Sequence, residues 1–243
     1  RFAELGVASN RVTVTGDARF DQVWRRTQHL ERDAPILRAL RGDLPLLIAG
    51  STWPADEEVL IAAFTDASRR SRLRLVIVPH EPTPSHTARL ETALTAVGLA
   101  HERLREVEER GAATANVIIV DRVGVLADLY AAATIAFVGG GLGRAGLHSI
   151  VEPAALGIPV LFGPRHGNAR EASELVHAGG GFEIAGATEL AAMIVALASN
   201  PEDRARAGDA ALAYVQSRLG GAQRNAALVV ERSHRLTGAR AVG

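Results

Sequence analysis

The sequence predicts an α/β fold built on a doubly wound parallel sheet. Three observations carry the prediction. Short apolar runs alternate with helical patterns as far as residue 184. The runs are continuous rather than alternating polar and apolar, as strands buried on both faces are. The helical stretches between them are about 10–15 residues long, the span of a βαβ crossover.

The elements follow in order. "RVTVTG" (11–16) is β-branched and reads as a strand, with a helix after it over about 21–40. "LPLLIAG" (44–50) is the next strand, and Pro54 opens a helix over 54–68, where its missing N–H costs nothing. "LRLVIVP" (73–79) precedes a helix over 85–97, and "LAHERL" contributes a short further strand. "NVIIVD" (116–121) leads into a helix over 125–133. "TIAFVG" (134–139), "IPVLFG" (158–163) and "GGFEI" (180–184) complete the strands, and the helix behind the first of them starts near Leu147 or His148. Helices over 188–199, 201–218 and about 222–235 close the chain, with Asn200 as an N-cap before Pro201. No linker or repeat interrupts this pattern, so residues 1–243 read as one domain with a sheet core at about 11–184 and a helical tail at about 188–236.

Composition narrows the function. The net charge is zero and 47% of the 243 residues are hydrophobic, which gives no case for nucleic acid or an anionic membrane. Cysteine is absent, so disulfides and thiolate chemistry are excluded. All 27 basic residues are arginine, and without lysine no Schiff base can form. No signal peptide or membrane-length apolar run stands out. The opening on Arg1, inside a structured pattern, reads as the back portion of a longer protein.

In a doubly wound sheet the ligand site lies beyond the carboxyl ends of the strands. Four such ends carry unusual residues: "GSTWP" (50–54), "PHEPTP" (79–84), "DRVGVL" (121–126) and "GGGLGRAGLHSIVEP" (139–153). Five glycines within 139–146, Gly140 and Gly141 among them, favour a loop whose backbone approaches a ligand; the competing reading is a sharp turn that needs positive φ. "GLGRAG" (141–146) follows a late strand, which argues against a dinucleotide fingerprint. Glu152 is either a helix-start acid or an acceptor for a ribose diol. Ser51 and Thr52 are capping hydroxyls or ligand contacts. His80 is a phosphate or ribose donor, or an ordinary loop histidine. His148 and Glu152 form only an i, i+4 pair, so no metal site is expected.

Five segments, in order, carry a resemblance: "TGDARFD" (15–21), "AGSTWPADEEVL" (49–60), "VPHEP" (78–82), "LYAAATIAFVGGGLGRAGLHSIVEPAALGIPVLFGP" (129–164) and "NAREASEL" (168–175). Over about residues 5–185 they resemble the C-terminal half of the Kdo transferases, which add 3-deoxy-D-manno-octulosonic acid (Kdo) from CMP-Kdo to lipid A precursors. The resemblance implies a GT-B architecture of two Rossmann-like domains, of which this chain is the C-terminal, donor-binding one. It places nucleotide contacts on Pro79 and His80, on Val123, Gly124 and Val125, and on Ser149, Ile150, Val151 and Glu152.

It also implies inverting transfer without a metal or other cofactor. The catalytic base and the lipid A contacts would lie in an N-terminal domain absent from this chain, leaving the isolated chain inactive. A cytoplasmic location follows, at the inner membrane through the missing half. The sequence departs from the family pattern at three places: many members have Pro-Arg-His at Pro79–Glu81, Gly-Glu-Leu at Gly124–Leu126, and asparagine at Ser149. A GT-B enzyme using a UDP-sugar, and a non-catalytic nucleotide-binding or docking module, are the alternatives.

Overall fold

Apolar runs become strands wherever they find partners on both sides. In a computed structural model, which describes residue 2 and residues 4–240 (side chains through residue 233), seven strands form: β1 (Leu46–Thr52), β2 (Arg74–Pro79), β3 (His101–Arg103), β4 (Val117–Ile119), β5 (Ile135–Val138), β6 (Val160–Phe162) and β7 (Gly181–Glu183). All pair in parallel, in the order β3-β4-β2-β1-β5-β6-β7. The helices are α1 (Ala18–Gln28), α2 (Pro35–Leu40), α3 (Pro54–Arg70), α4 (Pro84–Ala96), α5 (Leu104–Arg110), α6 (Leu126–Leu129), α7 (Val151–Ala155), α8 (Arg170–Ala178), α9 (Ala187–Ser199), α10 (Pro201–Ser217) and α11 (Gly221–Arg240). The doubly wound α/β prediction is borne out.

Strand pleating sends neighbouring side chains to opposite faces. Leu47 and Ala49 of β1 join Leu75, Ile77 and Phe137 beneath Leu60 and Phe64 of α3 and Leu190 and Ile194 of α9. Leu46 and Ile48 turn the other way, with Val76 and Ile118, against Leu37 and Leu40 of α2 and Leu104 and Val107 of α5. Burial on both faces is why these runs lack polar alternation. Each fully buried leucine or phenylalanine contributes roughly 1.5–3 kcal/mol.

Strand order reverses at β1. The chain moves from β1 to β2 on one side and later returns to place β5 on the other. The carboxyl ends of β1 and β5 therefore open the crevice where such folds bind ligands.

Several expected elements differ. Residues 11–16 form no strand. A single 3₁₀ turn, Ser9–Arg11, leads into extended backbone at Val12. Arg224 Nε reaches the Thr15 carbonyl at 2.7 Å, and the Thr15 hydroxyl bonds the Asn225 side chain. β-Branched residues make a strand only where a partner strand exists, and Val14 here is 91% exposed. Replacing Val14 with serine should move the unfolding free energy by no more than about 0.5 kcal/mol. A loss well above that in urea denaturation would mean the segment is packed after all.

The helix expected over 21–40 splits into α1 and α2, because Pro35 cannot sit in a helix interior and instead opens α2. Asp17 starts α1 early by accepting the Arg19 amide at 2.9 Å. The run at 125–133 gives only α6 and a 3₁₀ turn, Tyr130–Ala132. The helix placed near Leu147 or His148 begins at Val151, leaving 139–150 as a long loop. Helix α5 was not singled out from sequence. At the far end Asp21 ties α11 to α1, accepting the amides of Gly220 and Ala222 at 2.6 and 2.9 Å. Residues 241–243 of the expected domain lie outside the described residues. Among the described residues no helix is long and apolar enough to cross a membrane.

Candidate functional site

The carboxyl end of β1 is a bent turn. Ser51 has φ of 53°, the one non-glycine residue with positive φ among those described, and the register with β2 shifts between Gly50 and Thr52. Gly50 lacks a side chain because a Cβ there would run into the buried Tyr130 hydroxyl and the Leu126 side chain. Helix α6 thus lies against the end of β1, with Val123, Gly124 and Val125 in the loop that enters it. Val123 is 75% exposed and Gly124 has φ of 89°.

The two hydroxyls after Gly50 differ. Thr52 Oγ1 donates to Glu57 Oε1 at 3.0 Å, and the same carboxylate meets His86 Nε2 at 2.8 and 2.9 Å. Thr52 is fully buried, so as a ligand contact its side chain is ruled out. Ser51 is half-buried, and its hydroxyl has no partner among the described residues.

The glycine run behaves differently from the expected ligand-facing loop. Asp56, fully buried in the first turn of α3, accepts the Gly140 amide at 2.8 Å, the Leu142 amide at 3.2 Å and the Trp53 amide at 3.0 Å. The amides of Gly140 and Leu142 are therefore committed inside the protein. Packing explains the glycines: a Cβ at Gly139 would enter the Ser51 carbonyl, one at Gly140 the Gly146 carbonyl, and one at Gly141 would stand 2.7 Å from the Gly163 oxygen. Gly140 also has φ of 95°. Asn168 clamps the far side of the loop, accepting the Leu147 amide at 3.1 Å and donating to its carbonyl at 2.9 Å.

Three rings meet at the crevice. Trp53 Nε1 donates to His148 Nε2 at 3.0 Å, with the two rings 12° from coplanar. His80 lies over both, 4.8 Å from Trp53 and 4.3 Å from His148 between centroids, each at 29°. The His80 amide donates to the Thr52 carbonyl at 3.0 Å, which anchors the ring's position. Burial, and then the adjacent His80, hold His148 below the usual histidine pKa, against a smaller opposing pull from Asp56.

Glu152 sits in the first turn of α7. Its carboxylate is half-buried and without a hydrogen-bond partner among the described residues. Burial raises its pKa, and Arg26 partly offsets this. Arg26 is itself held by Asp128 at 3.1 Å. The neighbouring Tyr130 phenol is pushed up by burial and then by the Glu152 charge. Ser149 is exposed, whereas Ile150 and Val151 point into the core, leaving only their main chain for a ligand. Pro79 is likewise buried.

The structure thus gathers Ser51, His80, Gly140 and Glu152 around the switch point. It adds Trp53, Asp56, His148 and Asn168, which sequence reasoning did not select for the site. For Trp53, Asp56 and His148 the signal was present in "STWPAD" and "LHS", but the partners lie 84 or 95 residues apart. Among the described residues no group of three or more His, Cys, Asp or Glu side chains could hold a metal.

No family model matches the chain. Its sequence is 30% identical to the 3-deoxy-D-manno-octulosonic acid transferase of Chlamydophila psittaci over 218 residues, covering 89% of this chain and 47% of the relative. It is 29% identical to the enzyme of that name from Haemophilus influenzae, over 92% of this chain and 52% of the relative. Over most of its length the chain is similar to curated Kdo transferases. It spans about half the length of the curated Kdo transferases it matches.

Solved structures agree on the fold. The C-terminal CMP-Kdo binding domain of WaaA from Acinetobacter baumannii superposes with a TM-score of 0.62 at 22% identity, covering 82% of this chain and 98% of that one. Anabaena HepE in complex with UDP matches with a TM-score of 0.53 at 18% identity, over 88% of this chain and 53% of that one.

Proposed function

We propose that this chain is the donor-binding half of an inverting Kdo transferase-like glycosyltransferase of lipopolysaccharide synthesis, and that CMP-Kdo is its donor. Glu152 carries the reading. A half-buried carboxylate without a protein partner, at the topological switch point, is an acceptor kept for a ligand, and a ribose diol offers it two hydroxyls. The main chain of Pro79 and of residues 123–125 would border the base. Ser51 and His80 would donate to phosphate or to the sugar carboxylate, and such donors stabilise charge on departing CMP. The base that deprotonates the acceptor, the lipid A contacts and the attachment to the cytoplasmic face of the inner membrane belong to protein outside this chain. No metal or cofactor enters the proposal.

A second reading rests on the departures at His80, Val125 and Ser149: a UDP-sugar in place of CMP-Kdo. Calorimetric titration with CMP, UMP and AMP separates the two. CMP should bind best, with a Kd on the order of 0.1–1 mM for half a cleft. Equal binding of all three would overturn the cytidine assignment.

Glu152→Gln should weaken CMP about ten- to a hundredfold, the worth of a charge-assisted hydrogen bond of roughly 1.5–3 kcal/mol. The same variant should melt no lower than wild type at neutral pH. A carboxyl whose folded pKa is raised contributes stability below its unfolded pKa and loses it as pH rises through the folded value, so at pH 7 its charge stabilises nothing. Normal CMP affinity in Glu152→Gln would reduce the residue to a helix-start acid.

A further inference from the structure

An indole N–H is only ever a donor. The 3.0 Å bond from Trp53 Nε1 therefore requires His148 Nε2 to be an unprotonated acceptor. A neutral imidazole whose Nε2 accepts carries its proton on Nδ1. This tautomer is set by geometry alone, and the N–H it creates has no partner among the described residues. The surroundings act in the same direction: His80 stacks on the ring at 4.3 Å and disfavours a positive charge on it, and the ring is partly buried. Asp56, the one carboxylate felt at His148, already accepts three amides. The His148 amide is bonded to the Gly139 carbonyl at 3.1 Å, so the ring is carried by the loop clamped between Asp56 and Asn168.

We propose that His148 is a preset neutral donor, its Nδ1–H bonding a phosphate oxygen of the nucleotide at the switch point, and that Trp53 is the positioning residue that selects this tautomer. This rests on the nucleotide reading above. A neutral N–H binds a phosphate oxygen without the charge that would hold departing CMP in place. Neither the residues expected from sequence nor the family comparison assigns Trp53 or His148 a role.

The test has two arms. The first needs no ligand: two-bond ¹H–¹⁵N correlation spectra of the imidazoles in the full chain should show His148 protonated at Nδ1 near neutral pH. Trp53→Phe should convert part or all of that signal to the Nε2-protonated form. A wild-type His148 protonated at Nε2, or a tautomer indifferent to Trp53→Phe, overturns the proposal whatever the ligand.

The second arm titrates CMP and cytidine. His148→Ala should weaken CMP about tenfold or more while changing cytidine little, as expected for a lost bond to a charged oxygen. His148→Asn places an amide N–H near the Nδ1 position and should recover most of the CMP affinity. Equal losses for CMP and cytidine, or no recovery in the asparagine variant, would make the histidine a packing residue only. Failure of the wild type to bind CMP would instead overturn the nucleotide reading, together with the phosphate bond, while the first arm still reports on Trp53.

Discussion

Gly140→Ala should destabilise the protein by about 2–5 kcal/mol, adding about 1–2 for a side chain in the left-handed region to about 1–3 for overpacking. Both terms are visible at this position. The backbone has φ of 95°, and a methyl group there would be pushed into the Gly146 carbonyl. The carbonyl cannot retreat freely, because Gly146 lies against Asn168, whose side chain pins the next residue from both its amide and its carbonyl. Against a total stability of about 5–15 kcal/mol the loss is large. Gly143→Ala is the control, since its Cβ would meet only the Ala55 methyl at 3.4 Å. Urea denaturation of the two variants decides the matter. If Gly140→Ala keeps wild-type stability yet loses nucleotide binding, the glycine is there for the ligand and not for the loop.

Asp56→Ala should cost about 2–5 kcal/mol, because an unsatisfied buried N–H costs about 1–3 kcal/mol and water can reach some of the three that would lose their acceptor. The donors are the amides of Trp53, Gly140 and Leu142. Asp56→Asn should fall between alanine and wild type: its oxygen still accepts, but its NH₂ faces donors. Hydrogen exchange gives the sharper reading. In Asp56→Ala the Gly140 and Leu142 amides should exchange faster, while those of β2 and β4 change only as far as global stability does. Unchanged protection at Gly140 would mean that another acceptor holds the loop. Because the same loop carries His148, the ring stack over Trp53 should loosen with it.

Seven of the eight expected strands and their parallel direction were legible because short-range patterns carry them. Runs such as "LLIAG" and "LVIVP" are apolar on both faces, and only a central parallel strand buries both. The switch point followed from the fold class. Glu152 and His80 were legible as polar residues at strand ends or helix starts, although their alternatives could not be separated there.

What the sequence by itself determined is a doubly wound sheet, where its switch point lies, and a resemblance to the Kdo transferases through motifs kept in order. Only the tertiary structure decided how that switch point is built. It turned amides of the glycine run, those of Gly140 and Leu142, inward to Asp56, withdrew the Thr52 hydroxyl to Glu57, left "RVTVTG" without a partner strand, and joined Trp53 to His148 across 95 residues. The reason is physical. Strand and helix propensity are sums of local preferences, so a single chain segment displays them. A hydrogen bond between distant residues exists only once packing has paid the entropy of bringing them together, and no local pattern records which partners that packing selects.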